Sequence, residues 1–336
     1  MPASTTHDTT LLTGATGFVG SAVARCLAAR GHRLRLLVRP GSDRRNLAGV
    51  EAELVEGDLR QPRSLAAVVA GCRFVVHVAA DYRIWVPDPG PMIAANVEGT
   101  TALMQAALDA GVERIVHCSS VAALGLDPDG GEADETTPVT AQTIVGVYKR
   151  SKYQAEQAVL RLVRERDLPA IIVNPAAPVG PRDIKPTPTG RLIRDAAAGR
   201  IPAYVDTGLN IVHVDDVAEG HALALEIGRI GQRYVLGSEN LLLRHLLALV
   251  AEASGRSAPR IALPVAPLWP VAIASEFVAR FGIEPMVTRD HLRMARKKMF
   301  FSSAKAMREL GYAPRPARLA VQDAVAWFRT AGMVPA

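Results

Sequence analysis

Tyr148 and Lys152 stand four residues apart in Tyr148-Lys149-Arg150-Ser151-Lys152, at the start of Lys149–Arg166, a stretch whose apolar positions recur at helical spacing. One helical turn separates them, so the phenol and the ammonium project from one face. A free phenol ionises at about pH 10. A nearby ammonium favours the phenolate, and such a tyrosine can exchange a proton with a substrate oxygen near neutral pH. The pair alone is a weak signal, because both residue types are common on helix surfaces. Ser119 and Ser120 follow the apolar run Arg114–Cys118. A serine hydroxyl at the C-terminal end of a buried strand can hold and polarise a substrate oxygen; equally, small polar residues there start an ordinary loop. The order of these pieces behind a third one makes the combination strong.

That third piece is Thr13-Gly14-Ala15-Thr16-Gly17-Phe18-Val19-Gly20, between an apolar strand Thr10–Leu12 and a helix Ser21–Arg30. In a strand–turn–helix context, Gly14 permits the tight turn, Gly17 clears room for a pyrophosphate, and Gly20 lets helix and strand approach. The start of the helix, with Thr16, Phe18 and Val19, offers backbone N–H groups to phosphate. A dinucleotide is the expected ligand. At the end of the second strand, where an acidic residue would hold the ribose of NAD, the chain reads Val38-Arg39-Pro40-Gly41-Ser42. Arg39 can pair with a 2′-phosphate and Ser42 can donate to it, which favours NADP(H) over NAD(H). The other reading is a surface arginine beside an NAD site. In Gly57-Asp58-Leu59, Asp58 either accepts from the adenine amino group or caps the segment that follows.

The elements that position these groups alternate. Strands are expected at Thr10–Leu12, Leu34–Val38, Glu53–Glu56, Phe74–Val78, Arg114–Cys118 and Ala170–Val173. Helices fall at Ser21–Arg30, Ser64–Ala70, Asn96–Ala110 and Lys149–Arg166. This pattern predicts an α/β fold, a doubly wound parallel Rossmann sheet. The expected division is a dinucleotide-binding domain over 8–175, with 211–236 returning to it, and a smaller C-terminal substrate lobe over most of 176–336. Pro175–Pro188, rich in proline and glycine, reads as a loop over the ligand. Further strands are expected at Ile211–Val214 and Tyr234–Leu236, and helices at Val217–Ile227, Leu241–Ser254, Ala304–Leu310 and Leu319–Thr330.

Composition narrows the function. The net charge of +6 suits small anionic ligands and is too diffuse for nucleic acid. Arg296, Lys297 and Lys298 form the one tight basic cluster, which reads as a solvated helix face. Cys26, Cys72 and Cys118 show no disulfide or metal-binding spacing, so three reduced, buried thiols in a cytoplasmic protein are expected. Met1–Thr10 is polar, without a signal-peptide pattern, and reads as a frayed tail. Ile261–Ser275 lacks charge but is short and holds Pro264, Pro267 and Pro270. A span is not expected there, while contact with a lipid surface or an apolar substrate stays open.

These motifs together resemble the extended short-chain dehydrogenases/reductases, the NAD-dependent epimerase/dehydratase family, over nearly the whole chain. The matching pieces are Gly14–Gly20, Asp58, Val78-Ala79-Ala80, Asn96, Ser119-Ser120, Tyr148–Lys152, Asn174-Pro175 and His213–Val217. The resemblance implies Ser120, Tyr148 and Lys152 as the catalytic set. It implies Asp58, Leu59, Ala79, Ala80, Ser119, Tyr148, Lys152 and Pro175 along the cofactor, and Asn96 supporting the site. Ser120 and Asn174 would face substrate, joined by Tyr82 and Trp85. His213–Asp216 would be architectural. Tyr82, Trp85 and Met92 either wall the substrate or are packing residues. Within the family, Ala80–Trp85, Val173–Pro181 and Lys298–Phe301 resemble the dihydroflavonol 4-reductase-like branch, with the closest look to hopanoid-associated sugar epimerases. The expected activity is reduction of a small-molecule carbonyl by hydride transfer from NADP(H). The alternatives are a nucleotide-sugar epimerase linked to hopanoid biosynthesis, with Arg182, Arg194 or Arg296–Lys298 on a diphosphate, and a non-enzymatic NADP(H) sensor. A homodimer through Asn96–Ala110 and Lys149–Arg166 is expected.

Overall fold

The computed structural model describes residues 9–140, 143–279 and 288–335. Residues 1–8 of the expected tail lie outside this range, whereas Thr9 and Thr10 are already buried strand, not tail. The chain runs β1 (Thr9–Thr13), α1 (Phe18–Ala29), β2 (Arg33–Val38), β3 (Glu53–Glu56), α2 (Leu65–Val69), β4 (Phe74–His77), α3 (Gly90–Ile93), α4 (Gly99–Asp109), β5 (Arg114–Cys118), α5 (Gly146–Arg166) and β6 (Ala170–Pro175). It continues with β7 (Ala177–Val179), α6 (Pro188–Ala197), β8 (Ala203–Val205), β9 (Gly208–His213), α7 (Val214–Ile227), β10 (Arg233–Leu236), β11 (Glu239–Leu242) and α8 (Leu243–Ser254). The last elements are β12 (Ile261–Leu263), α9 (Trp269–Ala279), α10 (Arg289–Ala295), β13 (Lys298–Met299), α11 (Ala304–Leu310) and α12 (Ala317–Thr330).

Seven strands form one sheet in the order β10-β6-β5-β4-β1-β2-β3, every pair parallel. The central strands are apolar on both faces, as a sheet covered by helices on both sides requires. α1 and α7 pack together over one face, around Leu12, Val23, Leu36, Val116 and Val217. α2, α4 and α5 cover the other, around Leu11, Leu65, Leu103, Ile115 and Val159. The strand order reverses between β1 and β4, which opens a crevice at their carboxyl ends, the place where open α/β sheets bind ligands.

The return of 211–236 differs from expectation. β10 joins the main sheet beside β6, but β9 does not; it pairs with β7, β11 and β13 in a second small sheet. Val214 is the first residue of α7 and not a strand end, because His213 accepts the Asp215 N–H at 3.0 Å and caps the helix. Further along, Phe301, Leu310 and Tyr312 pack into the core of the main sheet, so the chain crosses between the two bodies more than once. The lobe has its own core of α6, α8 and α12 around Ile193, Leu247, Val321 and Phe328. The expected loop Pro175–Pro188 contains β7, a strand of three residues.

Candidate active site

The glycine turn is shaped for a dinucleotide. Gly14 adopts φ +77°, and a Cβ there would come within 2.6 Å of the Ala79 nitrogen on the turn after β4. A Cβ on Gly20 would stand 2.1 Å from the Gly14 carbonyl, so strand and helix meet only because both side chains are missing. At Gly17 a Cβ would meet only the Gly14 oxygen, at 3.3 Å, leaving room above the loop. α1 begins with no side-chain cap and no acidic residue in its first turn. Its leading N–H groups, from Phe18 onward, are left for an anion. These features fit a pyrophosphate. Thr16 is held from behind: buried Asn46 donates to its carbonyl at 3.2 Å. Asn46 sits in a 3₁₀ turn after β2 and carries no sequence pattern that singles it out.

Arg39 is exposed at the end of β2 and forms no salt bridge among the described residues, whereas nearby Arg44 is paired with Glu56 at 2.5 Å. The Ser42 hydroxyl donates to the Arg39 carbonyl at 2.8 Å; it closes the turn and is not free to donate outward as expected. Asp58 accepts from the backbone and side chain of Arg60, at 2.9 and 2.6 Å, which makes it a cap of its own turn. The hydrogen bonds from Arg60 hold its carboxyl below the usual range. Leu59 is buried against Gly99. Ala79 and Ala80 are half-buried after β4, and Ala79 donates its N–H to the Thr13 hydroxyl at 3.2 Å.

The catalytic candidates converge at the carboxyl end of β5. α5 starts at Gly146, three residues earlier than the apolar periodicity indicates, so Tyr148 lies in its first turn. Lys152 is buried and its Nζ donates to the Cys118 carbonyl, the last residue of β5, at 2.8 Å. Ser120 is hydrogen-bonded to the Tyr148 side chain. In the chain alone, the Tyr148 phenol is shifted by its surroundings. Burial pushes it up to about 12, against the opposing pull of the Ser120 hydrogen bond. The Lys152 ammonium spends one of its three donors on the strand end. Without cofactor, the Tyr148 phenol therefore keeps its proton at neutral pH. Buried Ser119 has an Oγ with no partner among the described residues, an orphaned polar atom just past the end of β5.

Behind this set lies a support network. Buried Asn96 sits in a π-helical stretch, Ala94–Glu98, between α3 and α4. It accepts the Asp81 N–H at 2.7 Å and donates to the Asp81 carbonyl at 2.8 Å and to Ser151 Oγ at 3.0 Å. It therefore locks the turn after β4 to the catalytic helix. Asn174 is fully buried; its amide donates to the Ser120 carbonyl at 3.0 Å and to Glu156 at 2.7 Å. With no exposed surface it is a positioning residue, not the substrate contact the resemblance implied. Glu156 in turn pairs with Arg233 of β10 at 3.2 Å. Pro175 is buried at the end of β6, opposite Leu236. His213 caps α7 and meets Asp323 at 3.1 Å, while Asp216 takes the backbone and side chain of Arg315, both at 2.8 Å.

On the substrate side, Tyr82 is exposed and reaches the Lys185 carbonyl at 3.4 Å, and Trp85 is half-buried. Met92 is fully buried and belongs to the core, not to a pocket wall. Two arginines read as diphosphate contacts are already committed: Arg182 to Asp215, and Arg194 to Asp195 at 2.9 Å. Lys149 escaped the sequence reading. It is buried next to Tyr148's backbone, with Met299 Sδ at 3.9 Å as its hydrogen-bond partner. Burial, then Lys297, bring its ammonium down to about 8. Of the cysteines, Cys72 and Cys118 are buried, but Cys26 is only half-buried, 3.6 Å from Glu219.

A parallel dinucleotide sheet carrying Ser, Tyr and Lys at its strand ends defines an extended short-chain dehydrogenase/reductase. The profile of the NAD dependent epimerase/dehydratase family matches residues 10–237, and the chain belongs to that family. It is 40% identical over 97% of its length to a Synechocystis protein named after dihydroflavonol 4-reductase, covering 96% of that protein. It is 36% identical to sterol demethylase protein B of Methylococcus capsulatus, across 97% of this chain and all of that one. The crystal structure of gox2253 matches with a TM-score of 0.88 at 65% identity, over 97% of this chain and 99% of the other. The protein is thus an NAD(P)-dependent enzyme of the oxidoreductase/epimerase class. No helix among the described residues is long and apolar enough to cross a membrane.

Proposed function

We propose that the protein is an NADP(H)-dependent reductase of an apolar carbonyl compound. The observation that carries this reading is the convergence of Ser120, Tyr148 and Lys152 on the carboxyl end of β5, where Lys152 Nζ lies 2.8 Å from the Cys118 carbonyl. A bound nicotinamide supplies the hydride. Ser120 holds the substrate oxygen, and Tyr148 delivers a proton to it as the negative charge develops. Lys152, with donors to spare beyond the Cys118 carbonyl, holds the ribose side. Arg39, exposed and without a salt bridge among the described residues, supports recognition of a 2′-phosphate. The commitment of Arg182 and Arg194 to Asp215 and Asp195 speaks against a diphosphate-bearing sugar. The name of the Methylococcus relative supports an apolar substrate class such as a sterol-like ketone.

A second reading, favoured by the family description, is epimerisation, in which the same residues take hydride and proton away and return them on the other face. Stoichiometry separates the two. With aldehydes, ketones, sterol-like ketones and nucleotide sugars as test substrates, the reductase consumes one NADPH per product. Product accumulating while NADPH absorbance stays flat overturns it. Titrating NADPH and NADH into wild type and Arg39→Ala tests the cofactor. Loss of one charge-assisted contact should weaken NADPH about 10- to 100-fold and leave NADH nearly unchanged.

A further inference from the structure

The segment from Ile261 to Ala279 carries one charged residue, Glu276, and that charge is neutralised by Arg289, whose Nε and backbone N–H each lie 2.7 Å from its carboxylate. An apolar stretch of this kind belongs in a core, yet it is outside. Of the twelve large apolar residues exposed among the described residues, six lie between Ile261 and Val278, with Ile273 at 56% and Phe277 at 58%. Only Ala272 and Ala279 of α9 are buried, and the helix packs chiefly against α10 and the 3₁₀ turn before it. Exposed apolar side chains gathered on one segment in this way mark an interaction site.

The charge around it selects the partner. Residues 256–298 hold eight arginines and lysines against three acidic residues, a net of +5 in a chain whose total is +6. Arg296 and Lys298 are exposed and form no ion pair among the described residues, while Arg293, over the Trp269 ring at 6.0 Å, is already paired with Asp290 at 2.9 Å. A second copy of the chain would bring the same positive charge to the same patch, which disfavours self-docking. An anionic bilayer surface offers both an apolar layer for Val271, Ile273 and Phe277 and negative headgroups for the basic rim.

We propose that β12, α9 and α10 form a peripheral docking surface for anionic membranes, with the α9 side chains seated in the interfacial layer. The inference stands apart from the reductase reading, and its test reads binding rather than turnover. The full chain is spun with sucrose-loaded vesicles of phosphatidylcholine, or of phosphatidylcholine mixed with phosphatidylglycerol. Wild type is expected to pellet with the mixed vesicles and to be released by high salt. Ile273→Glu/Phe277→Glu should lower the bound fraction at least about fivefold, since each carboxylate must enter the interface. Arg296→Glu/Lys298→Glu should reduce binding to the mixed vesicles alone. An unchanged far-UV circular dichroism spectrum and thermal midpoint certify that the variants are folded. Wild type left in the supernatant at low salt, or an Ile273→Glu/Phe277→Glu variant that binds as wild type does, overturns the proposal. So does a wild type that ignores vesicles but loses oligomeric mass in that variant, an outcome that assigns the patch to protein.

Discussion

Tyr148 keeps its proton because burial penalises the phenolate more than the Ser120 hydrogen bond favours it. Tyr148→Phe removes that proton and little else. Single-turnover hydride transfer should fall about 10²- to 10⁴-fold while NADPH affinity stays within about twofold. A variant retaining most of its rate would remove Tyr148 as the proton donor. Lys149 makes a different prediction. Its ammonium, brought from 10.5 down to about 8, binds fewer protons in the folded chain than in the unfolded one between those values. Stability contributed by this site therefore rises with pH through that window, and the buried charge costs about 3 kcal/mol at neutral pH. Lys149→Met should stabilise the protein against urea by about 1–3 kcal/mol at pH 7, a gain that shrinks toward pH 10. A loss of stability at pH 7 would show that the ammonium has a partner the geometry does not reveal.

At the scale of elements, β4 and β5 place His77 and His117 side by side, stacked with centroids 5.4 Å apart. His77 bridges Thr13 and Thr100, at 2.7 and 2.9 Å, which ties the glycine turn to α4. Both ring nitrogens of His117 lack a partner among the described residues. Burial brings His77 down to about 3 and His221 to about 4, and moves His117 well below its usual 6.5. These folded-state values lie below the unfolded one, so the unfolded chain takes up protons first as pH falls below 6.5. Stability present at neutral pH is lost from there downward, by up to about 1.4 kcal/mol per pH unit for each ring. Acid unfolding followed by far-UV circular dichroism should show this slope between pH 6 and 4. His117→Leu should flatten it by about one proton and move the midpoint to lower pH. A midpoint that stays in place would mean His117 is not desolvated in solution.

At the scale of the whole molecule, α4 and α5 share an outward groove lined by Val97, Thr101, Tyr153 and Ala158. Asn96 lies in the π-helical turn just before α4 and Tyr148 in the first turn of α5, so a partner seated there would brace the catalytic helix. The protein is expected to run as a dimer in light scattering at micromolar concentration, and Ala158→Arg to shift it to monomer. A monomeric wild type would remove this interface. The basic apolar surface on α9 and α10 lies on other elements and is left open by such a dimer.

The sequence by itself determined the sheet of alternating strands and helices, the glycine turn and the Ser120–Tyr148–Lys152 set. Each of these is a local pattern: apolar runs bounded by turn residues, glycines at fixed spacing, one turn of helix between two side chains. It did not show β7, β8, β12 and β13, strands of two or three residues too short to carry a period, which exist because a neighbouring strand pairs with them. Nor did it show that β9 leaves the main sheet, since an apolar strand reads alike in either sheet. Roles set by burial also had to wait for the tertiary structure. Asn174 turned from the substrate to the Ser120 carbonyl, Met92 entered the core, Ser42 closed on its own turn, and Arg182 and Arg194 found carboxylates. The neutral state of Tyr148 belongs with these, because desolvation and the direction in which Lys152 points depend on what the rest of the chain packs around them.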